Sequence, residues 1–497
     1  MAGFAARPVP ASAAEQIQPL CRIAVPYRRP AGAPKPSDVC FSSRSKHPQN
    51  DKDPHDSFRT ASAFHATRFD WVYTQERAFV EQAKKGGYGF WCAINSMVPD
   101  APGGGRTKGR LTDLDGNLVT APWMRGWKGA AWGCVNSPPW RQSYLTWAKT
   151  CLDAGTDGFQ MDDPPINYAA VRWGACFCDH CLNGFRAFLE RKTTLEQRRS
   201  IRVPDVATFD YRAYLKEKGA PSGDAFAKWD GGTLKGLFTE FQKESVRTFY
   251  ADMRAEIDKV AGRHVTFSSN NYDGRWTFPY DLFEFGMAEL PGRNARPDRM
   301  YERFREARKR GKAQLFTLVS GDTGLTRRVI AHAYACGGHL IVPWDVYMGS
   351  DAARYFGKPE QYADLYKFVR DHAAFFDGYE DAAFAIPGLE DQRYAARPPV
   401  AVRSAAMVSA VVRAMPGNSK APVVIHLVDW RDSTEPFDIT LENRRFFAER
   451  MLTVTLLRPG KQTAKLTGTS QDGRTSVRVP ALQPWCVLVV TPGATGN

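Results

Sequence analysis

Between about residue 60 and residue 346 the chain repeats a short apolar run eight times, most runs followed by a helical pattern, and this rhythm leaves few architectures open. The runs are Ala63 to Tyr73, Tyr88 to Asn95, Ala130 to Val135, Gly158 to Asp162, Val265 to Asn270, Leu282 to Glu289, Ala313 to Ser320 and His339 to Trp344. Stretches with apolar residues at three- and four-residue spacing separate several of them, namely Arg141 to Ala154, Leu234 to Val260, Asp298 to Arg310 and Thr326 to Cys336. Strands alternating with helices predict a parallel sheet, and eight is the number that closes one into a (β/α)8 TIM barrel. A doubly wound open sheet is the rival, but the Gly-rich phosphate loop that usually accompanies one is absent.

At 497 residues the chain is too long for one hydrophobic core. The interval from Asp163 to Gly262 far exceeds an ordinary βα connection, so an inserted subdomain is expected over about 164–262, at the mouth of a barrel that spans 58–395. Pro359 to Phe376 reads as a further helix. From about 398 the pattern changes to alternating strands: Val400 to Val412, Val423 to Trp430, Phe437 to Leu441, Met451 to Leu457, Ser476 to Val479 and Cys486 to Val490. Turns such as Pro416-Gly417 and Asp472-Gly473 punctuate them, which predicts an all-β sandwich over 396–497. Residues 1–57 read as an extended lead-in with a short strand-like run at Cys21 to Tyr27. Its segment Ala6 to Glu15 resembles either the end of an export signal, implying a periplasmic or extracellular protein, or a disordered Ala/Pro-rich leader.

The net charge of +14 favours an anionic partner, such as a uronate or a sulfated glycan. The basic residues are scattered, however, and the densest cluster, Arg303 to Lys312, reads as the solvated face of a helix. No nucleic-acid-binding signature accompanies them, and no apolar stretch is long enough to cross a membrane, so neither partner is expected. A homo-oligomer is compatible with the composition. Thirteen Trp and an aromatic share of 12% exceed what packing usually needs, and such residues often line sugar clefts, where a pyranose C–H face lies flat on a ring.

Three of the ten cysteines form a C-x-C-x-x-C run, Cys176, Cys178 and Cys181. Disulfides within so tight a run would be strained, whereas three thiolates and a fourth make the tetrahedral shell of a structural zinc ion. Cys134, placed at the end of the third strand, is the expected fourth ligand; free or oxidised cysteines are the alternative. Cys21, Cys40, Cys92, Cys151, Cys336 and Cys486 read as buried thiols or an occasional disulfide.

Three segments together carry a family resemblance: Gly133-Cys134-Val135-Asn136-Ser137-Pro138-Pro139-Trp140-Arg141, Gly158-Phe159-Gln160-Met161-Asp162-Asp163, and Cys176-Phe177-Cys178-Asp179-His180-Cys181 with Phe185 to Leu189. They resemble the zinc-containing beta-galactosidases of glycoside hydrolase family forty-two. The resemblance implies a barrel of that kind, a β-rich C-terminal domain, and a structural zinc held by Cys134, Cys176, Cys178 and Cys181. It also marks a departure. The family's strand-four motif ends in Asn-Glu, the Glu being its acid/base, and this chain has Asp163-Pro164 there. The family's nucleophilic Glu on strand seven has no counterpart either, since Leu315 to Thr323 offers only Asp322, so the beta-galactosidase activity does not carry over.

Glycosidic cleavage normally needs two carboxyl groups, one to protonate the leaving oxygen and one to attack or to activate water. A barrel places such groups at the C-terminal ends of its strands. Asp162 and Asp163 close the fourth run and are the candidates for nucleophile or base, against a helix cap or turn as the plain alternative. Glu289 ends an apolar run next to Met287 and Leu290, a setting that raises a carboxyl pKa and suits a general acid; an ion pair with Arg293 is its plain alternative. Polar or aromatic residues end nearly every other run: His65, Arg68, Asp70 and Trp71, then Asn95, Asn270, Asn271, Asp322, Trp344 and Asp345. Together they predict a sugar-binding cleft, and the expected function is a glycoside hydrolase acting in polysaccharide degradation on an oligo- or polysaccharide. A carbohydrate-binding barrel without catalysis is the alternative, motivated by Pro164.

Overall fold

A computed structural model of the chain describes residues 17–42, 57–101, 103–318, 320–343, 358–394, 397–404, 407–431, 433–447 and 451–493. Trp344, Asp345 and the leader segment 6–15 fall outside the described residues. The chain divides into two compact units.

The larger unit, 28–326 with 338–370, is a closed parallel barrel. Its staves are β1 (Cys40–Ser42), β2 (Arg68–Val72), β3 (Gly89–Ile94), β4 (Gly158–Met161), β5 (Thr266–Ser269), β6 (Phe285–Glu289) and β7 (Ala313–Thr317), with an eighth in two pieces, β8 (His339–Leu340) and β9 (Val342–Pro343). β8 pairs with β7, while β9 pairs with β1, and that second pairing closes the ring.

Eight staves match the count expected from the repeat, but two identities change. Ala130 to Val135 is not a stave: it contributes only an antiparallel bridge, Arg110 to Gly133, and its apolar residues Trp132 and Cys134 belong to a separate core at the mouth. The missing stave is β1, which lies in the expected lead-in. Its three residues are too few for any alternation to register.

Strand alternation sorts the side chains. Cys40, Trp91, Ala93, Phe285, Met287, Ala313, Leu315 and Ile341 fill the inside. On the outer side of the sheet, Phe69 meets Phe41, Phe79 and Phe90, and Phe159 packs edge-on against Phe267. Burying each such ring contributes on the order of 1.5 to 3 kcal/mol. The segment before β1 crosses the N-terminal ends of the staves: Gly32 O accepts from Arg68 Nη1 at 2.9 Å, Ala31 O from Thr266 Oγ1 at 2.8 Å, and Lys35 O from His339 Nε2 at 2.7 Å. That end of the barrel is floored.

The connections after β3 and β4 build a subdomain with one shared apolar core, drawing Leu111, Trp132 and Cys134 from the first and Phe177, Phe185 and Phe238 from the second. Helix Asp179–Lys192 and the 30-residue helix Gly232–Ala261 are its main elements.

The second unit takes in 371–497 with 327–337 and residues before 28, where Leu20–Ile23 is a short helix rather than the expected strand. Six antiparallel strands form one sheet, in the order β10 (Glu380–Ala385), β12 (Val408–Ala414), β13 (Val423–Asp429), β19 (Trp485–Pro492), β15 (Leu452–Leu457) and β16 (Ala464–Leu466). Four more, β11 (Val400–Arg403), β14 (Phe437–Glu442), β18 (Arg474–Val479) and β17 (Gly468–Gln471), form another. Alternate residues of both, among them Val412, Ile425, Leu488, Ile439 and Val477, share one core, as in a sandwich. Among the described residues no helix is long and apolar enough to cross a membrane.

Candidate active site

The open end of the barrel collects carboxylates because two staves run in the same facing. A Cβ on Gly158 would stand 2.3 Å from Trp91 Nε1, so position 158 faces the filled interior and tolerates no side chain. Two and four residues on, Gln160 and Asp162 share that facing. On β6 the interior residues Phe285 and Met287 put Glu289 on the same side at the strand's exit.

Asp162 extends the ladder one residue past β4, its N–H donating to Ile94 O at 2.8 Å. Asp163 then breaks the alternation with a left-handed φ of 52°, a conformation that is costly for a residue with a Cβ and recurs at functional sites. Its N–H donates to Asp162 Oδ1 at 3.1 Å, and its carbonyl accepts from Ser96 Oγ at 3.1 Å.

Burial, and after it the negative charges of Asp162 and Glu289, push the Asp163 carboxyl well above the usual carboxylate range. The three acids therefore share one electrostatic environment. Glu289 itself is exposed at the rim instead of nested between Met287 and Leu290, because it shares the inward facing of Met287 but stands at the last position of the strand, past the packed interior, while Leu290 turns to the opposite side.

Phenols surround the pair. The Tyr73 hydroxyl donates to Asp162 Oδ2, and Trp71 Nε1 stands 3.5 Å from the same phenolic oxygen. Burial, and then Asp162, push Tyr73 well up, while Tyr250 and Tyr280 are raised mainly by burial, with Asp163 adding to each. All three stay neutral. Tyr73 was not singled out in the sequence; its signal was a phenol closing an apolar run, outweighed there by the charged residues before it.

The remaining expected rim residues divide. Asn95 and Asn270 are half-buried just past β3 and β5, and both use their side chains to cap the following turn, accepting from Met97 N–H at 2.9 Å and Tyr272 N–H at 3.3 Å. Arg68 and Asp70 do not line the opening. They form a two-bond buried ion pair inside the barrel, both bonds 2.8 Å, with the guanidinium 3.6 Å from the Trp91 ring centre. Trp71 is buried, at a register shift where its φ is 60°. His65 precedes β2 and so belongs to the floored end, because Ser57–Ala63 is a helix and the strand starts later than its apolar run. Asn271 is buried in a reciprocal amide pair with Gln314, at 2.8 and 3.0 Å. Asp322 caps the helix Thr323–Ala335, accepting from Leu325 N–H at 2.9 Å. Tyr272, which the sequence did not flag, is 64% exposed beside Glu289, whose N–H donates to its carbonyl at 3.1 Å.

The cysteine sulfurs of residues 134, 176, 178 and 181 all come within 4.8 Å of one another. Cys134 arrives from the connection after β3, not from a stave end, and the other three from the connection after β4, so the cluster joins the two halves of the subdomain. No cysteine is in a disulfide. The cluster can hold a metal ion. Amide nitrogens surround it, Asn167 Nδ2 at 3.3 Å from Cys134 Sγ and Asn136 Nδ2 at 3.3 Å from Cys181 Sγ, and a surround of donors fits charged thiolates.

No protein-family model matches the chain. It is 24% identical over 237 residues to an alpha-agarase of Alteromonas agarilytica, covering 43% of this chain and 16% of that protein. An alpha-agarase of Thalassotalea agarivorans is 21% identical over 231 residues, covering 42% of this chain and 15% of that one. The chain thus matches less than a fifth of the length of either relative. Among solved structures, a cycloisomaltooligosaccharide glucanotransferase of Paenibacillus sp., complexed with cycloisomaltoheptaose, superposes with a TM-score of 0.57 at 8% identity, over 92% of this chain and 85% of that one. At that identity the likeness concerns the fold.

Proposed function

We propose that the chain is a glycoside hydrolase that cleaves a polysaccharide at the open end of its barrel, with Asp162 as nucleophile or base and Glu289 as general acid. The observation that carries this reading is the shared facing of Asp162 and Glu289 on β4 and β6, with Asp163 between them electrostatically. Asp162 receives two hydrogen bonds, from Tyr73 and from the Asp163 N–H, which fix the orientation of its carboxyl group. Glu289 opens to solvent, where it meets a leaving oxygen and can be reprotonated. Asp163 holds its proton and donates to a sugar hydroxyl beside the nucleophile. Tyr272, exposed next to Glu289, offers a face for a pyranose ring.

The alpha-agarase relatives support a galactan of agar type as the first substrate class to try, and the net charge of +14 supports including sulfated and uronate-bearing polymers. A polymer of this kind is met outside the cell, which favours an exported protein. The cysteine cluster is proposed as a structural zinc site: four thiolates close the coordination shell, leave no position for water, and so supply fold stability rather than a reaction step.

The test is turnover on a panel of polysaccharides and aryl glycosides by Asp162→Asn and Glu289→Gln. Each is expected to lose about 100-fold or more in kcat. Unchanged turnover in Asp162→Asn overturns the assignment. A second reading, in which Asp163 is the acid, is favoured by its raised pKa; Asp163→Asn would then abolish turnover while Glu289→Gln retained it. Sugar binding without turnover, surviving loss of both Asp162 and Glu289, would instead identify a binding protein.

A further inference from the structure

The amides around the cysteine cluster form a connected unit. Asn167 Nδ2 is 3.3 Å from Cys134 Sγ, 3.5 Å from Cys181 Sγ and 2.9 Å from Gln242 Oε1, while Asn167 Oδ1 accepts from Val135 N–H at 2.9 Å. Asn136 Nδ2 is 3.3 Å from Cys181 Sγ and 3.4 Å from Gln242 Oε1. Asn167 and Gln242 are fully buried. Three separate elements meet here: the loop after Cys134, the short helix Ile166–Ala170, and the long helix Gly232–Ala261.

An N–H aimed at a neutral thiol is a weak bond, and burying the Asn167 amide would be a costly way to obtain it. Aimed at a thiolate, the same N–H makes a charge-assisted bond. Gln242 Oε1 accepts from both asparagines and so fixes which way each amide points.

Position adds a second consequence. Asn167 stands four residues after Asp163, and the stretch between contains Pro164 and Pro165, each with its φ locked by the ring. Ile166 N–H also reaches back to Asp163 O at 3.4 Å. A displacement of Asn167 is therefore handed to Asp163 with little slack.

We infer that Asn136, Asn167 and Gln242 hold the cysteine sulfurs as metal-binding thiolates, and that Asn167 is a positioning residue coupling this site to the loop of Asp162 and Asp163. The inference rests on the metal reading of the cluster, and the experiment separates the two. Zinc affinity of the full chain is measured by competition with a chromophoric chelator, the cobalt-substituted protein supplies the thiolate-to-metal absorption band, and hydrogen exchange follows residues 162–170. The wild type is expected to bind one ion. Asn167→Ala and Asn136→Ala should each bind about 10- to 100-fold more weakly, the loss usual for groups that support metal ligands. Asn167→Ala should also shift the cobalt band and speed exchange in 162–170 at saturating metal. Wild-type affinity and spectrum in both variants overturn the inference while leaving the metal site standing; no zinc in the wild type overturns the metal site itself. Should Asn167→Ala fail to fold, half-buried Asn136 carries the affinity and spectral comparison alone.

Discussion

From two staves away along the rim, the phenol of Tyr73 donates a hydrogen bond to Asp162. The register shift in β2 makes this reach available, since it turns the strand's last residues relative to the regular ladder. Trp71 Nε1, at 3.5 Å from the phenolic oxygen, fixes the ring further.

Replacing Tyr73 by Phe keeps the ring and removes the donor. A hydrogen bond to a charged group is worth about 1.5 to 3 kcal/mol, so kcat is expected to fall about 10- to 100-fold. KM should change little. Steady-state kinetics on the substrate found in the panel, alongside a thermal melt showing an intact fold, checks this.

The raised pKa of Asp163 has a sign that stability measurements can read. The native state holds a proton that the unfolded chain releases nearer the ordinary carboxylate value, so stability declines as pH rises from that value through the native one and then stays lower. Asp163→Asn removes the cost. Its unfolding midpoint should exceed wild type at pH 8, by about 1 to 2 °C for each kcal/mol relieved in a unit of this size, and the gain should vanish below about pH 4. Equal midpoints at all pH values would contradict the buried-acid description.

Asp70→Asn addresses the barrel interior. It leaves the Arg68 guanidinium buried without its countercharge, which costs about 3 to 5 kcal/mol. Denaturant titration should show that loss, and the folded fraction should keep its KM. A raised KM without destabilisation would return Arg68 and Asp70 to the cleft.

For Tyr272 the expectation is the reverse. Exposed at 64%, it contributes little to folding, and Tyr272→Ala should leave the melt unchanged. Loss of a stacking face worth about 0.5 to 1.5 kcal/mol should raise KM up to about 10-fold, with Tyr272→Trp restoring it.

The parts of this molecule that were legible in the sequence are those where a pattern repeats. The staves β4 and β6 announce themselves by apolar runs, and Asp162 and Glu289 by standing at their exits. Cys40–Ser42 is too short to repeat anything. Ala130 to Val135 imitates a strand because Trp132 and Cys134 are apolar for another reason, the core of the mouth subdomain. Burial misleads in the same way for Arg68, Asp70 and Asn271: each is polar and near a strand, but whether its partner is a sugar or Asp70, Arg68 or Gln314 depends on residues far apart in the chain. The cysteines were readable because their chemistry allows few alternatives at such spacing, even though the stave assumed to deliver Cys134 does not exist.

The floor laid by Ala31, Gly32 and Lys35, and the stave that follows it, set a limit on dissection. A shortened chain starting at residue 58 would leave β2 and β9 as two raw margins, their N–H and C=O groups open to any neighbouring molecule. Such a fragment would meet its own copies before it met a ligand, and precipitate where the longer chain closes its ring.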